Sequence, residues 1–248
     1  MAATPDIDWM LISLRRTPER LELFQLINSQ VELSYELLEA VDGRTVDRQR
    51  LVDTGLMIEG LPWKPGAVGA ALSHLLCWER AVETGRLVGI LEDDVFLRHD
   101  FVERSKEIME ALPPDWDIVH FGFNTDSLFD LEIHPGCNIQ GGFDVQFPTL
   151  ESCERFAANT GPAVPVRMRN SFGNCCYVVS PAGAQKLIDG CFPLSNHVVL
   201  IPMLHAMFRA NSKDVLMNEQ YGNMAAFVSV PPIALPINDK DQSTVGVR

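Results

Sequence analysis

Residues 88–97 read VGILEDDVFL: a short apolar run passes directly into three consecutive acids and then becomes apolar again. A run this short and this apolar, punctuated by charge, reads as a buried strand ending at a sheet rim, which demands a sheet covered by other elements. At that rim Glu92, Asp93 and Asp94 repel one another, so the arrangement costs stability unless something positive compensates them.

The elements around this strand alternate. Residues 8–14 (DWMLISL) form a strand, followed by a helix that Thr17 can cap, with Pro18 in its first turn and Leu21, Phe24 and Ile27 at helical spacing. VELSYELLEAVDG offers a second strand, ended by the Asp42-Gly43 turn. Val68, Leu72, Leu75, Leu76, Ala81 and Val82 recur near a 3.6 period and predict a helix over 67–84, with Gly85 as its C-cap. Residues 86–95 continue as strand, 101–112 as a helix closed by Pro113-Pro114, and 116–122 as strand. After CCYVVS, another strand, Ser180 caps a helix that opens on Pro181 and ends at Gly190. Such alternation predicts an α/β fold, a mostly parallel mixed sheet with helices on both faces. Residues 1–238 read as one domain and 239–248 as a tail; 123–170, without sustained periodicity, reads as loops forming a lid or acceptor-binding insertion.

Composition narrows the partners. The 248 residues carry 20 basic and 33 acidic side chains, a net charge of −13 that repels nucleic-acid backbones and anionic lipids. The N-terminus lacks the basic flank and apolar run of a secretory signal, so the mature chain is expected to start there. Apolar stretches are shorter than the roughly 20 residues that span a bilayer. The six cysteines include no C-x-x-C pair, which points to free, mostly buried thiols in a reducing cytoplasm rather than to zinc or disulfides.

Along an extended segment side chains alternate, which turns Glu92 and Asp94 to one face and Asp93 to the other. Ligands of open α/β sheets bind beyond the carboxyl ends of strands, and hard carboxylate oxygens suit Mn²⁺ or Mg²⁺ completed by substrate phosphates. The competing reading is a solvated turn in which Asp93 or Asp94 caps the next helix. Phosphate chemistry through a P-loop or a G-x-G-x-x-G turn is excluded by the absence of both motifs. An aspartyl phosphatase would want Asp where Glu92 stands.

Five segments in order carry a resemblance: ISLRRTPER (12–20), AVDG (40–43), GAVGAALSHLLCW (66–78), LEDDV (91–95) and CYVVSPAGAQKL (176–187). Together they resemble glycosyltransferase family 25, which includes bacterial lipooligosaccharide and collagen galactosyltransferases. The resemblance implies a GT-A type, Rossmann-like fold and transfer of galactose or glucose from a UDP-sugar to a glycan, glycolipid or peptide acceptor, with inversion. It implies Mn²⁺ or Mg²⁺ on Glu92 and Asp94, with Asp93 beside the donor.

Arg15 and Arg20 are placed to reach the donor phosphates or the uracil edge, though Arg20, like Arg16, equally suits a solvated helix face. Asp42 either accepts from a ribose or sugar hydroxyl or merely forms the turn. Ser73 and His74 are donor-pocket candidates through the resemblance alone, and Gly66 and Gly69 suit close backbone approach. The family's late acid has no counterpart after Pro193, so Asp214 is assigned as the base that takes the acceptor's proton. Two rivals stay open: a nucleotide-sugar or partner-binding module without turnover, and a metal-dependent phosphohydrolase. The expected location is the cytoplasm, peripheral to a membrane if the acceptor is lipid-linked.

Overall fold

The computed structural model describes residues 6–142, 149–201 and 204–237. Its first half runs β1 (Ile7–Ser13), α1 (Pro18–Ile27), β2 (Glu36–Glu39), α2 (Arg48–Asp53), α3 (Pro65–Thr84), β3 (Leu87–Glu92), β4 (Val95–Leu97), α4 (Phe101–Ala111) and β5 (Ile118–His120). The second half adds β6 (Leu128–His134), β7 (Cys137–Gly142), α5 (Leu150–Ala158), β8 (Val164–Ser171), β9 (Cys176–Val179), α6 (Pro181–Cys191), β10 (Val198–Ile201), β11 (Ala206–Arg209), α7 (Lys213–Gln220), β12 (Ala226–Val230) and β13 (Ala234–Pro236).

Nine strands form one mixed sheet in the order β2-β1-β3-β9-β5-β12-β8-β6-β7. β1 pairs in parallel with β2 and β3, and β5 with β12; β9 runs against both of its neighbours, so β2, β1, β3, β5 and β12 share one direction. Alternation along these strands feeds two cores. Met10, Ile12, Val88, Ile90, Tyr177 and Val179 face α3, α6 and α7, where Val68, Leu75, Trp78, Leu187 and Leu216 pack. Trp9, Leu11, Leu91, Cys176 and Val178 face α1 and α4, meeting Phe24, Phe101 and Ile108. The expected α/β, Rossmann-like fold with helices on both faces is the observed one.

The segment 123–170 departs from its reading as loops. β6, β7 and β8 extend the main sheet as an antiparallel edge, and α5 lies between β7 and β8. Bulges at 130/131 and 132/134, and Pro165 within β8, break the two-residue period that marks a strand. Two local expectations also change. Thr17 sits at the N-cap of α1 without a capping side-chain bond, its hydroxyl donating instead to the Leu14 carbonyl oxygen at 3.3 Å. The strand expected over 86–95 stops at Glu92, and Asp100, not Asp93 or Asp94, precedes α4. The tail from 239 lies outside the described residues.

The six cysteines are free, and only Cys137 is exposed. Among the described residues no helix is long and apolar enough to cross a membrane.

One close approach fixes the loop after β2 on the N-terminal turns of α3. A Cβ on Gly69 would overlap the Val41 carbonyl oxygen and lie 2.7 Å from the Gly43 nitrogen. Ser73 completes the clasp, accepting from the Val41 amide at 2.9 Å and donating to the Gly69 carbonyl at 2.8 Å. Gly69→Ala is expected to lower unfolding stability by about 1–3 kcal/mol, the usual cost of overpacking. Chemical denaturation checks this; an unchanged midpoint would show that the loop gives way freely.

Candidate functional site

The carboxyl ends of β1 and β3 open into a cavity of about 620 Å³, within the range of about 300–1,000 Å³ usual for small-molecule sites. The strand ends deliver Ile12 and Glu92, the turn after β3 delivers Asp93 and Asp94, the turn before α1 brings Arg16, and α1 brings Arg20. Asp42 and Gly43 arrive on the loop after β2, Ser73 and His74 on α3, and Lys213 and Asp214 at the start of α7.

Because the strand ends at Glu92, the three acids do not alternate as an extended segment would place them. Asp93 and Asp94 both turn toward Arg20, at 2.5 Å and 3.5 Å, while Ser13 donates to Asp93 at 2.7 Å. Glu92 goes the other way, to His74 Nε2 at 3.1 Å and Lys213 Nζ at 3.3 Å. The pairing sets the charges. Burial pushes the Glu92 carboxyl up, but Lys213 and the His74 hydrogen bond outweigh it and hold the group below the usual range. Asp94 is raised, first by burial and then by Glu92. Its Oδ1 is buried without a hydrogen-bond partner.

Two buried polar chains converge on Lys213. In the first, the Trp78 indole donates to the Tyr177 hydroxyl at 2.9 Å, and that hydroxyl lies 2.7 Å from His74 Nδ1. An indole only donates and a carboxylate only accepts, so His74 carries its hydrogen on Nε2, gives it to Glu92, and receives one from Tyr177. Burial, followed by Lys213, lowers the His74 pKa and keeps the ring neutral. In the second chain Asn174 donates to Asp214 Oδ1 at 2.8 Å and accepts from Tyr221, which sits 3.2 Å from His120 Nε2. Lys213 Nζ closes the circuit, 2.9 Å from the same Asp214 oxygen. Burial lowers the Lys213 pKa, yet Asp214 and Glu92 reverse the balance and raise it, so the amine is an ammonium.

Four carboxylates, Glu92, Asp93, Asp94 and Asp214, thus face two permanent cations, Arg20 and Lys213, leaving two negative charges uncompensated. That remainder, and the partnerless oxygen of Asp94, fit a divalent ion held by one or two carboxylates. Among the described residues no group of three or more His, Cys, Asp or Glu is arranged to hold a metal ion.

Of the residues singled out in the sequence, Arg20, Asp42, Ser73, His74, Glu92, Asp93, Asp94 and Asp214 share the cavity. Arg15 is exposed and outside its lining, while Arg16 lines it and pairs with Asp42 at 2.7 Å. Gly69 serves the clasp behind the wall. Lys213, Asn174 and Trp63 were missed. Lys213 had a signal, its adjacency to Asp214, whereas Trp63 and Asn174 lie in segments without one.

The second chain carries a pH consequence. Burial, then Lys213, lowers the His120 pKa to about 3. As pH falls below the ordinary histidine value of about 6.5 the unfolded chain takes up a proton that the folded protein refuses. Stability is therefore lost through this window, at up to about 1.4 kcal/mol per pH unit. Asp94 works oppositely: its raised pKa means stability falls as pH rises through its titration. Denaturation of wild type and His120→Gln between pH 7 and 5 isolates the histidine, and the variant is expected to show the flatter profile. Parallel profiles would rule the assignment out.

A family model described as glycosyltransferase family 25 (LPS biosynthesis protein) matches residues 7–199. A glycosyltransferase 25 family member of Aedes aegypti is 30% identical over 238 residues, covering 91% of this chain and 35% of that protein. The inactive glycosyltransferase 25 family member 3 of Mus musculus is 27% identical over 247 residues, covering 91% and 36%. Procollagen galactosyltransferase 2 of Homo sapiens is 23% identical over 261 residues, covering 95% and 37%. The chain spans little more than a third of the length of these relatives. With the family model matched over most of its length, across the strand ends that frame the acid turn, this chain belongs to glycosyltransferase family 25.

Proposed function

We propose that the chain transfers a hexose, galactose or glucose, from a UDP-sugar to a hydroxyl of a glycan, glycolipid or peptide acceptor. One observation carries the reading: a single cavity joins the acid turn to a further carboxylate, Asp214, suited to act as a base, and the four carboxylates together exceed their two cations by two negative charges. The family description supports a glycan or glycolipid acceptor, and the name of the human relative supports galactose and a peptide.

Asp94, through its partnerless oxygen, and Glu92 are the residues that would hold Mn²⁺ or Mg²⁺. When bound, the ion supplies Lewis-acid neutralisation of the charge that grows on the diphosphate as the sugar departs. Arg20 holds Asp93 and Asp94 in place, and the Trp78–Tyr177–His74 chain orients Glu92. Among the described residues both bonds to the Asp214 carboxylate fall on Oδ1, so Oδ2 is the oxygen for the acceptor's hydroxyl proton. Removal of that proton during direct displacement gives inversion at the anomeric carbon.

The mouse relative is named as inactive, which makes sugar-nucleotide binding without turnover the competing reading. Calorimetry with UDP-galactose and UDP-glucose, first with Mn²⁺ and then with EDTA, separates the readings. Donor binding that tightens with the metal, together with slow UDP release, is expected, both weakened in Asp94→Ala. Asp214→Asn is expected to keep donor affinity within a few-fold while UDP release falls about 10²–10⁴-fold, the usual contribution of a general base. Donor binding with no UDP release, even with acceptor extracts, would favour the module. No binding of either sugar nucleotide, with phosphate freed from simple esters, would favour a phosphohydrolase.

A further inference from the structure

Lys213 stands where burial and the helix dipole both work against a cation, and only its two carboxylate neighbours favour one. It opens α7, at the end where the helix dipole is positive, and its side chain is only 7% exposed. Burying an ammonium is costly even when paired, and an apolar side chain of similar length would fill the same space without that penalty. What the position gains from a lysine is a fixed positive charge inside the cavity. The geometry accounts for two of its three hydrogens, one toward Glu92 at 3.3 Å and one toward Asp214 at 2.9 Å. The third has no protein acceptor among the described residues, and the side chain lines the cavity that holds the acid turn. No single carboxylate owns the charge: Nζ sits between the acid on the metal side and the acid on the acceptor side.

We infer that Lys213 is a donor-binding residue whose ammonium contacts an anionic oxygen of the nucleoside diphosphate, giving the site a hold on the donor that persists without a divalent ion. This rests on the sugar-nucleotide reading above. It assigns the lysine a direct contact, beyond its pairing with Glu92 and Asp214.

The test compares UDP with uridine, which lacks the phosphates, in EDTA, so that no metal contributes and no turnover is read. Wild type is expected to bind UDP more tightly than uridine. In Lys213→Met that preference is expected to shrink about ten- to a hundred-fold, the range of a charge-assisted contact, with uridine affinity unchanged. If Lys213→Met leaves Glu92 and Asp214 too poorly compensated to fold, Lys213→Met/Asp214→Asn removes one of the stranded charges and the same ratio is read. An unchanged ratio in a folded variant overturns the inference while the sugar-nucleotide reading stands. Wild type that binds UDP with Mn²⁺ but shows no preference over uridine in EDTA overturns it equally. Failure of wild type to bind UDP or a UDP-sugar under any condition removes the reading beneath it.

Discussion

The structure depends on how four carboxylates are kept together at the rim of one sheet. At 4 Å two like charges repel by roughly 4 kcal/mol in surroundings of intermediate polarity, so an uncompensated cluster would open the turn after β3. Arg20 and Lys213 prevent this from opposite sides, the first gathering Asp93 and Asp94 and the second joining Glu92 to Asp214. The compensation is incomplete by two charges over the four carboxylates, and among the described residues Asp94 keeps one oxygen without a partner. A site balanced internally would have no electrostatic reason to take up a cation or to hold an anion through one. The remaining charge is what the proposed divalent ion would offset.

The fold places these charges without relying on long loops. β1 and β3 lie side by side in parallel register, Ile12 opposite Glu92, so their carboxyl ends leave the sheet at the same level. The helix that follows β1 therefore starts beside the turn that follows β3, which is why Arg20 reaches it. From the far side, α7 packs on the same face as α3 and α6, bringing Lys213 to Glu92 across 121 residues of sequence. Behind the carboxylates the supporting groups are aromatic and buried: Trp78, Tyr177, His74, His120 and Tyr221 fix orientation through hydrogen bonds whose donors and acceptors are nearly all used. His120 Nδ1 is the exception, buried without a partner, and its burial is consistent with a ring that stays neutral.

Much of this was legible in the sequence because the elements around the acid turn obey simple periods. α3 shows its 3.6 repeat and its Gly85 cap, observed in the left-handed conformation at φ 66°, and β1, β3 and β9 are apolar on both faces as buried strands must be. The edge strands were not legible: β6 and β8 are half solvated and interrupted by bulges and Pro165, so the alternation that identifies a strand is absent. α7 escaped for another reason. Its apolar residues Val215, Leu216 and Met217 are consecutive, and its buried polar residues, Lys213 and Asn218, answer to partners more than 40 residues away. Arg15 and Arg16 show the limit most plainly, since adjacent residues of one type differ only in the direction the backbone turns after β1. Position along the chain favoured the first, and the fold turns the second into the cavity.

The same arrangement bears on how one scaffold can accompany both transferases and proteins named as inactive. Arg20 with Asp93, Lys213 with Glu92, and the aromatic chain behind His74 are interactions of the folded protein itself, complete before any donor arrives. Losing one member strands a buried charge, so these residues are held by stability as well as by chemistry. Asp94 differs: among the described residues its Oδ1 has no hydrogen-bond partner. Replacing Asp94 relieves charge repulsion, whereas replacing Asp214 also takes away the acceptor that Lys213 and Asn174 share. Under the proposed reading, loss of turnover is therefore most easily reached at Asp94, with the cavity and its cation-lined walls left standing.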